Sequence, residues 1–230
     1  MPTDLDALPR PDAVFFDLDG TLVDTVPTRI AAWLETFEQN GIATTREELA
    51  PLMGLDGRRL ARDVAARAGA PIDEARSEEI DRACGEVYER LNRSPRPLPG
   101  AADAVAALDR AGVRWAIATS SRKAQVATSV AALGLAVEPP IVDASHVAHA
   151  KPEPDLLLYA ARELGVEPGR CWYVGDSIWD MASAVAAGMI AVGVAAGSAV
   201  GEEALRGAGA AVVIASLGTL AEGLARLESR

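Results

Sequence analysis

In the run AVFFDLDGTLVD, residues 13–24, two carboxylates, Asp17 and Asp19, stand two places apart directly after four apolar residues. Like charges that close repel each other unless a cation offsets them. Three other short stretches carry groups of a related kind: Thr119 after VRWAIA, Lys151 in HAKPEPDLL, and Asp176 ending CWYVGD. A cluster of Asp17, Asp19 and Asp176 fits a hard divalent ion, and Mg²⁺ takes oxygen ligands, often one or two carboxylates with waters and substrate phosphate. A dianionic phosphate could then enter an otherwise negative pocket. A carboxylate ionised at neutral pH attacks phosphorus without a base and gives an aspartyl phosphate. A second carboxylate, if its pKa is raised, protonates the leaving oxygen and then takes a proton from water. Lys151 and the metal would balance charge on the transferring group. Thr119, at the opening of a helix, offers a hydroxyl beside backbone N–H groups, and Gly20 permits a tight turn under the phosphate.

These groups work together only if the fold gathers them. AVFF (13–16), VRWAIAT (113–119), CWYVGD (171–176), MIAVGV (189–194) and AAVVIAS (210–216) read as short buried strands, with PIVDAS (140–145) a further short one. Amphipathic, Ala-rich stretches of helical length lie between them, at 100–111, 122–134, 154–165, 178–188 and 216–229. Buried strands alternating with helices predict an α/β fold with a Rossmann-like parallel sheet covered on both faces, a three-layer α/β/α core. In such sheets ligands bind beyond the carboxyl ends of the strands, and each candidate group except Lys151, which precedes a helix, follows a strand. Residues 25–95 break the rhythm. Helical patterns fit 27–40, 46–53, 57–69 and 73–92, and SPRPLPG closes the stretch. The expected organisation is a catalytic core of residues 1–24 and 96–230 with an inserted α-helical cap domain at 25–95, hinged near Asp24–Pro27 and Ser94–Gly100.

The chain has 230 residues, 33 acidic against 22 basic, for a net charge of −11. That balance argues against nucleic-acid and anionic-membrane partners. Cys84 and Cys171 have no metal-type spacing and read as reduced thiols. The polar N-terminus lacks a secretory pattern and no apolar run reaches membrane-spanning length, so a cytoplasmic protein is expected. The oligomeric state is not legible.

DLDGTLVD (17–24), AIATSS (116–121), AKPEPD (150–155) and VGDSIWD (174–180) together resemble the four motifs of haloacid dehalogenase (HAD) superfamily phosphatases, in order and at suitable distances. The likeness is to the subgroup of phosphoglycolate phosphatase and beta-phosphoglucomutase, whose helical cap follows the first motif. The resemblance implies Asp17 as nucleophile and Asp19 as general acid/base. It implies Mg²⁺ held by the side chains of Asp17 and Asp176 and the backbone carbonyl of Asp19, with Asp180 supporting the metal. It assigns Thr119 and Ser120 to the phosphoryl group, with Lys151 bridging that group to the nucleophile. Dehalogenases of the superfamily lack an acid at the position of Asp19, and phosphonate-cleaving relatives use a cap lysine, whereas residues 25–93 contain none. Mutase relatives place a histidine early in the first cap helix, where TVPTRIAAW offers Arg29. The expectation is therefore a phosphomonoester hydrolase for a small phosphorylated metabolite, of the phosphoglycolate or sugar phosphate class. A sugar-phosphate mutase, or a non-catalytic phosphate-binding module on the same fold, are the alternatives.

Other residues have plainer readings. Asp24 reads as a hinge cap. His146 and His149 lie in a stretch of loop-like composition with nothing to complete a ligand set, and read as surface or locally bonded. Trp33 and Phe37, four apart, read as cap packing; Trp115, Trp172 and Trp179 as structural. Arg29, Arg58 and Arg59 are candidate anion contacts in the cap or equally a solvated helix face.

Overall fold

The computed structural model describes residues 4–227. Six strands form one parallel sheet: β1 (Ala13–Phe16), β2 (Arg114–Ala118), β3 (Ile141–Val142), β4 (Cys171–Gly175), β5 (Ile190–Val194) and β6 (Val212–Ile214), in the order β3-β2-β1-β4-β5-β6. β1 lies between β2 and β4, with Phe16 opposite Ile117 on one side and Val174 on the other. The strand order reverses at β1, and that switch point leaves a crevice at the carboxyl ends of β1 and β4.

Strand alternation explains why the runs are apolar throughout. Val14, Phe16, Trp172 and Val174 face one apolar cluster, and Ala13, Phe15, Cys171 and Tyr173 face the opposite one. A strand covered on both faces has no position for a solvated side chain. Helices α5 (Ala101–Ala111), α6 (Lys123–Ala132), α7 (Asp155–Leu164), α8 (Ile178–Ala186), α9 (Glu202–Gly207) and α10 (Leu217–Leu227) cover the sheet. The six-residue α9 has no counterpart in the sequence reading, because the glycines at 197, 201, 207 and 209 mask so short a helical pattern.

Residues 26–91 fold apart from this sheet into α1 (Val26–Gln39), α2 (Arg46–Leu49), α3 (Gly57–Arg67) and α4 (Glu74–Leu91). Their apolar faces, with Ile30, Phe37, Leu60, Val64 and Tyr88 among them, close on a core of their own. Capping fixes where these helices begin. Thr45 and Glu48 form a reciprocal capping box on α2, and the side chains of Asp56 and Asp73 accept from the N–H groups of Arg59 and Arg76. The expected helix over 46–53 is broken: α2 ends at Leu49 and a 3₁₀ turn follows, since Pro51 has no N–H for an α-helical bond.

Two chain segments join the helical unit to the sheet, and they run side by side. Asp24 N–H donates to the Arg96 carbonyl at 2.8 Å, and Leu98 N–H donates to the Leu22 carbonyl at 2.9 Å. Asp24 itself is exposed at this junction. Trp179 Nε1 on α8 donates to the Pro51 carbonyl at 2.9 Å, and its ring packs against the apolar cluster of the helical unit. Among the described residues, no helix is long and apolar enough to cross a membrane.

Candidate active site

Lys151 is the centre of the charge arrangement. Its side chain is 1% exposed, and its ammonium donates to Asp17 Oδ1 at 2.8 Å, to Asp180 Oδ1 at 2.7 Å and to the Tyr173 hydroxyl at 3.2 Å. These partners come from three places in the chain: Asp17 just after β1, Tyr173 within β4, and Asp180 in the first turn of α8. Asp180 is held on both oxygens, because Oδ2 accepts from the backbone N–H and hydroxyl of Ser177 in the capping box that starts α8. Asp176 Oδ1 accepts from the Thr21 hydroxyl at 2.8 Å. Gly20, at φ +85°, passes so near that a Cβ there would lie 2.3 Å from Asp176 Oδ2. The turn under the site therefore requires glycine for both conformation and space.

Asp17, Asp176 and Asp180 each offer a carboxylate oxygen within 4.8 Å of the others, and all three are buried. One ammonium faces three carboxylates. Burial pushes the Asp17 carboxyl up to about 7 despite the opposing pull of Lys151. Burial, reinforced by Asp180 and Asp17, drives Asp176 well above the usual carboxylate range. A hard cation reverses both effects by favouring the charged forms. The donor set, hard oxygens short of positive charge, thus fits Mg²⁺.

Without a divalent ion the same shifts set a pH dependence. Asp17 keeps its proton to about 7 when folded but loses it near 3.8 when unfolded. Between those values the folded state holds the extra proton, so stability falls as pH rises through that window. In EDTA, thermal unfolding at pH 7 is expected below that at pH 5, with a shallower fall in Asp17→Asn and a smaller one with added Mg²⁺. An Asp17→Asn slope equal to the wild type would contradict this assignment.

Asp19 sits in a different environment. Oδ1 accepts from the hydroxyls of Thr25 at 2.6 Å and Tyr88 at 2.8 Å, and Oδ2 accepts from Arg29 at 2.9 Å and from the Ser121 hydroxyl. Burial alone would raise its pKa. The Arg29 guanidinium and the bonds from Ser121 and Thr25 outweigh that and hold it at about 2. The raised pKa that an acid role calls for is thus absent in this conformation. The pairing of Arg29 with Asp19, which neutralises the site from the cap side, goes beyond the anion contact expected of Arg29. Arg29 also donates to Ser121 and to Gln125 Oε1 at 3.1 Å, and lies over the Tyr88 ring at 3.4 Å from its centroid.

Thr119 is 1% exposed after β2, and its hydroxyl accepts from the Ser121 N–H at 3.2 Å. The helix expected over 122–134 runs from Lys123 to Ala132, so Thr119 caps a turn in the loop before it rather than the helix itself. Ser120 Oγ is buried and has no hydrogen-bond partner among the described residues. Burying a hydroxyl without a partner is costly, and a phosphoryl oxygen would supply one.

Asp17, Asp19, Thr119, Ser120, Lys151 and Asp176 all line one cavity of about 70 Å³. From the cap, Arg29, Trp33 and Asp81 line it too. Arg58 and Arg59 do not. Arg58 pairs with Asp56 at 3.1 Å on a half-exposed seam, and Arg59 faces Asp63. Trp33 stacks on Phe37 with ring centroids 5.2 Å apart, and Trp172 lies within the sheet's core. Trp115 packs edge-on against Phe16. His146 bonds locally to Asp143 and exposed His149 to Asp155. Cys84 and Cys171 are buried and free.

Tyr88, Ser121, Gln125, Tyr173 and Asp81 were not legible as site residues. Tyr88 reaches Asp19 across 69 positions, and its helical spacing marks it only as cap core. Ser121 carried a faint signal as the last residue of AIATSS.

A family model for haloacid dehalogenase-like hydrolases matches residues 11–188. The chain is 32% identical to N-acetylmuramic acid 6-phosphate phosphatase of Pseudomonas aeruginosa, over 78% of this chain and 79% of that one. It is 35% identical to fructose-1-phosphate phosphatase YqaB of Escherichia coli, over 79% of this chain and 95% of that one. A solved hydrolase from Pseudomonas syringae superposes with a TM-score of 0.88 at 31% identity, covering 94% of this chain and 98% of that one.

Proposed function

The chain belongs to the haloacid dehalogenase-like hydrolase family, as an enzyme of its phosphatase branch, and we propose that it hydrolyses the phosphomonoester of a small metabolite by way of an aspartyl phosphate on Asp17. The observation that carries this reading is the buried Lys151 held between Asp17 and Asp180, beside Asp176 and the unpartnered Ser120 hydroxyl. Such a site has an anionic nucleophile, a fixed cation and a donor lacking an acceptor.

In this reading Lys151, Ser120 and Thr119 orient the phosphoryl oxygens, and an Asp17 oxygen attacks phosphorus as the bond to the leaving oxygen breaks. Asp17 and Asp176 side chains and the Asp19 carbonyl would hold Mg²⁺, which supplies charge neutralisation at the phosphoryl oxygens when bound. Asp180 acts behind them, since its four hydrogen bonds commit it to Lys151, Tyr173 and Ser177. Asp19 as seen here is a carboxylate, the form that takes a proton from the water attacking the acyl phosphate. To protonate the leaving oxygen it must exchange its Arg29 contact for the substrate. Cap residues Arg29 and Tyr88 bonded to Asp19 support a closed state that excludes bulk water during the first half-reaction. Two buried free thiols support a reducing, cytoplasmic setting.

Hydrolysis is preferred over mutase transfer because Arg29, and no histidine, stands beside Asp19 in the first cap helix. The test is turnover of p-nitrophenyl phosphate and of an aldose 1-phosphate, with Mg²⁺ and with EDTA. Metal-dependent release of inorganic phosphate is expected. Isomerisation of the aldose phosphate without phosphate release would favour the mutase, and no turnover with Mg²⁺ would favour a binding module.

A further inference from the structure

We propose that Asp81 of α4 determines specificity by accepting a hydrogen bond from a hydroxyl of the leaving group. The preferred substrate is then the phosphate ester of a compact, neutral, hydroxylated alcohol rather than of a carboxylic acid. This inference rests on the hydrolase reading above.

Asp81 lines the cavity over Asp17 and Asp19, and its side chain is 18% exposed. Oδ2 accepts from Arg122 at 2.6 Å. Among the described residues none donates to Oδ1. Space is made for that oxygen: a Cβ at residue 57 would lie 1.8 Å from it, so Gly57 is the neighbour that lets the carboxylate stand where it does. Burial raises the Asp81 pKa against the pull of Arg122, as for an acceptor short of donors.

The charges around the cavity decide between ligand classes. The cations among its lining residues are Lys151 and Arg29. Lys151 is committed to Asp17 and Asp180, and Arg29 to Asp19, Ser121 and Gln125. A substrate carboxylate would add an anion next to the Asp81 carboxylate, and like charges repel. A hydroxyl donates to Oδ1 instead. The cavity of about 70 Å³ favours a compact group.

The experiment compares kcat/KM for glycerol 3-phosphate, propyl phosphate and 2-phosphoglycolate, with Mg²⁺ present. A hydroxyl bonded to a carboxylate predicts that the wild type favours glycerol 3-phosphate over propyl phosphate by about ten- to a hundredfold, and over 2-phosphoglycolate as well. In Asp81→Leu the glycerol-to-propyl ratio should fall towards one, mainly through KM, while 2-phosphoglycolate gains relative to glycerol 3-phosphate. Arg122→Gln keeps the acceptor but breaks its contact with the core loop, and should keep the ratio. A wild type that does not separate the three esters overturns the proposal without needing any variant. So does a ratio that survives Asp81→Leu, or one that collapses equally in Arg122→Gln, which would make Asp81 a partner in cap closure only. Wild-type turnover with an unchanged ratio removes this inference alone; turnover of no ester removes the hydrolase reading and this inference with it.

Discussion

Asp17→Asn is expected to lower phosphate release by at least about 10⁴-fold, the scale seen when a nucleophile is removed, while leaving the fold intact. Asparagine has the shape of aspartate but no charge with which to attack phosphorus. Lys151 would lose one anionic partner and keep Asp180 at 2.7 Å and Tyr173 at 3.2 Å. The variant also removes one of three carboxylates crowded within 4.8 Å. Its thermal stability in EDTA at pH 7 should therefore equal or exceed that of the wild type. The combination is diagnostic, since loss of activity through misfolding would lower both. Borohydride reduction during turnover should convert residue 17 of the wild type to homoserine, the product of a reduced acyl phosphate, and should leave the Asp17→Asn variant unmodified. An active Asp17→Asn enzyme would remove the covalent route.

How much of this could be read from the chain follows from which forces are local. AVFF and CWYVG are legible because both faces of each strand are buried, which forces every position to be apolar. The helix starts at Thr45, Asp56, Asp73 and Ser177 are legible for a similar reason, since a capping side chain sits within three residues of the N–H that it satisfies. The four motif stretches mark the candidate groups because each places its polar residues at a strand or helix end. What depends on the cap docking against the core is not encoded locally. Nothing near Asp19 announces Tyr88, and nothing in RIAAW tells whether Arg29 faces solvent or a carboxylate. The state of Asp19 follows from that docking: the same residue reads as a candidate acid in sequence and is held at about 2 once Arg29 closes on it. Arg58 and Arg59 make the complementary case. Their turn suggests anion contacts, yet Arg58 pairs with Asp56 two residues away and both arginines stand outside the cavity.

Lys151→Met tests the electrostatics of the site rather than its chemistry. Methionine keeps much of the length of the stem, so packing changes little and the ammonium is what is lost. Asp17 and Asp180 would then face each other and Asp176 with no described cation in contact. Breaking a buried pair by removing one partner costs roughly 3–5 kcal/mol, and that loss should be measured by urea unfolding in EDTA at pH 7. An exposed pair such as Arg170 with Asp12 offers the contrast, since truncating it should leave stability nearly unchanged. The cost at Lys151 should shrink at pH 5. Asp17 already holds its proton up to about 7, and losing the ammonium pushes that value higher, so protonation relieves the repulsion as pH falls. Added Mg²⁺ should recover part of the stability at pH 7, because a divalent cation beside Asp17 and Asp176 replaces some of the missing charge. Activity should still fall by about 10²- to 10³-fold, as when one fixed donor to a reacting oxygen is removed. A Lys151→Met protein as stable as the wild type in EDTA at pH 7 would mean that the three carboxylates do not depend on this ammonium, and the charge arrangement from which the nucleophile and the metal site were both argued would fail together.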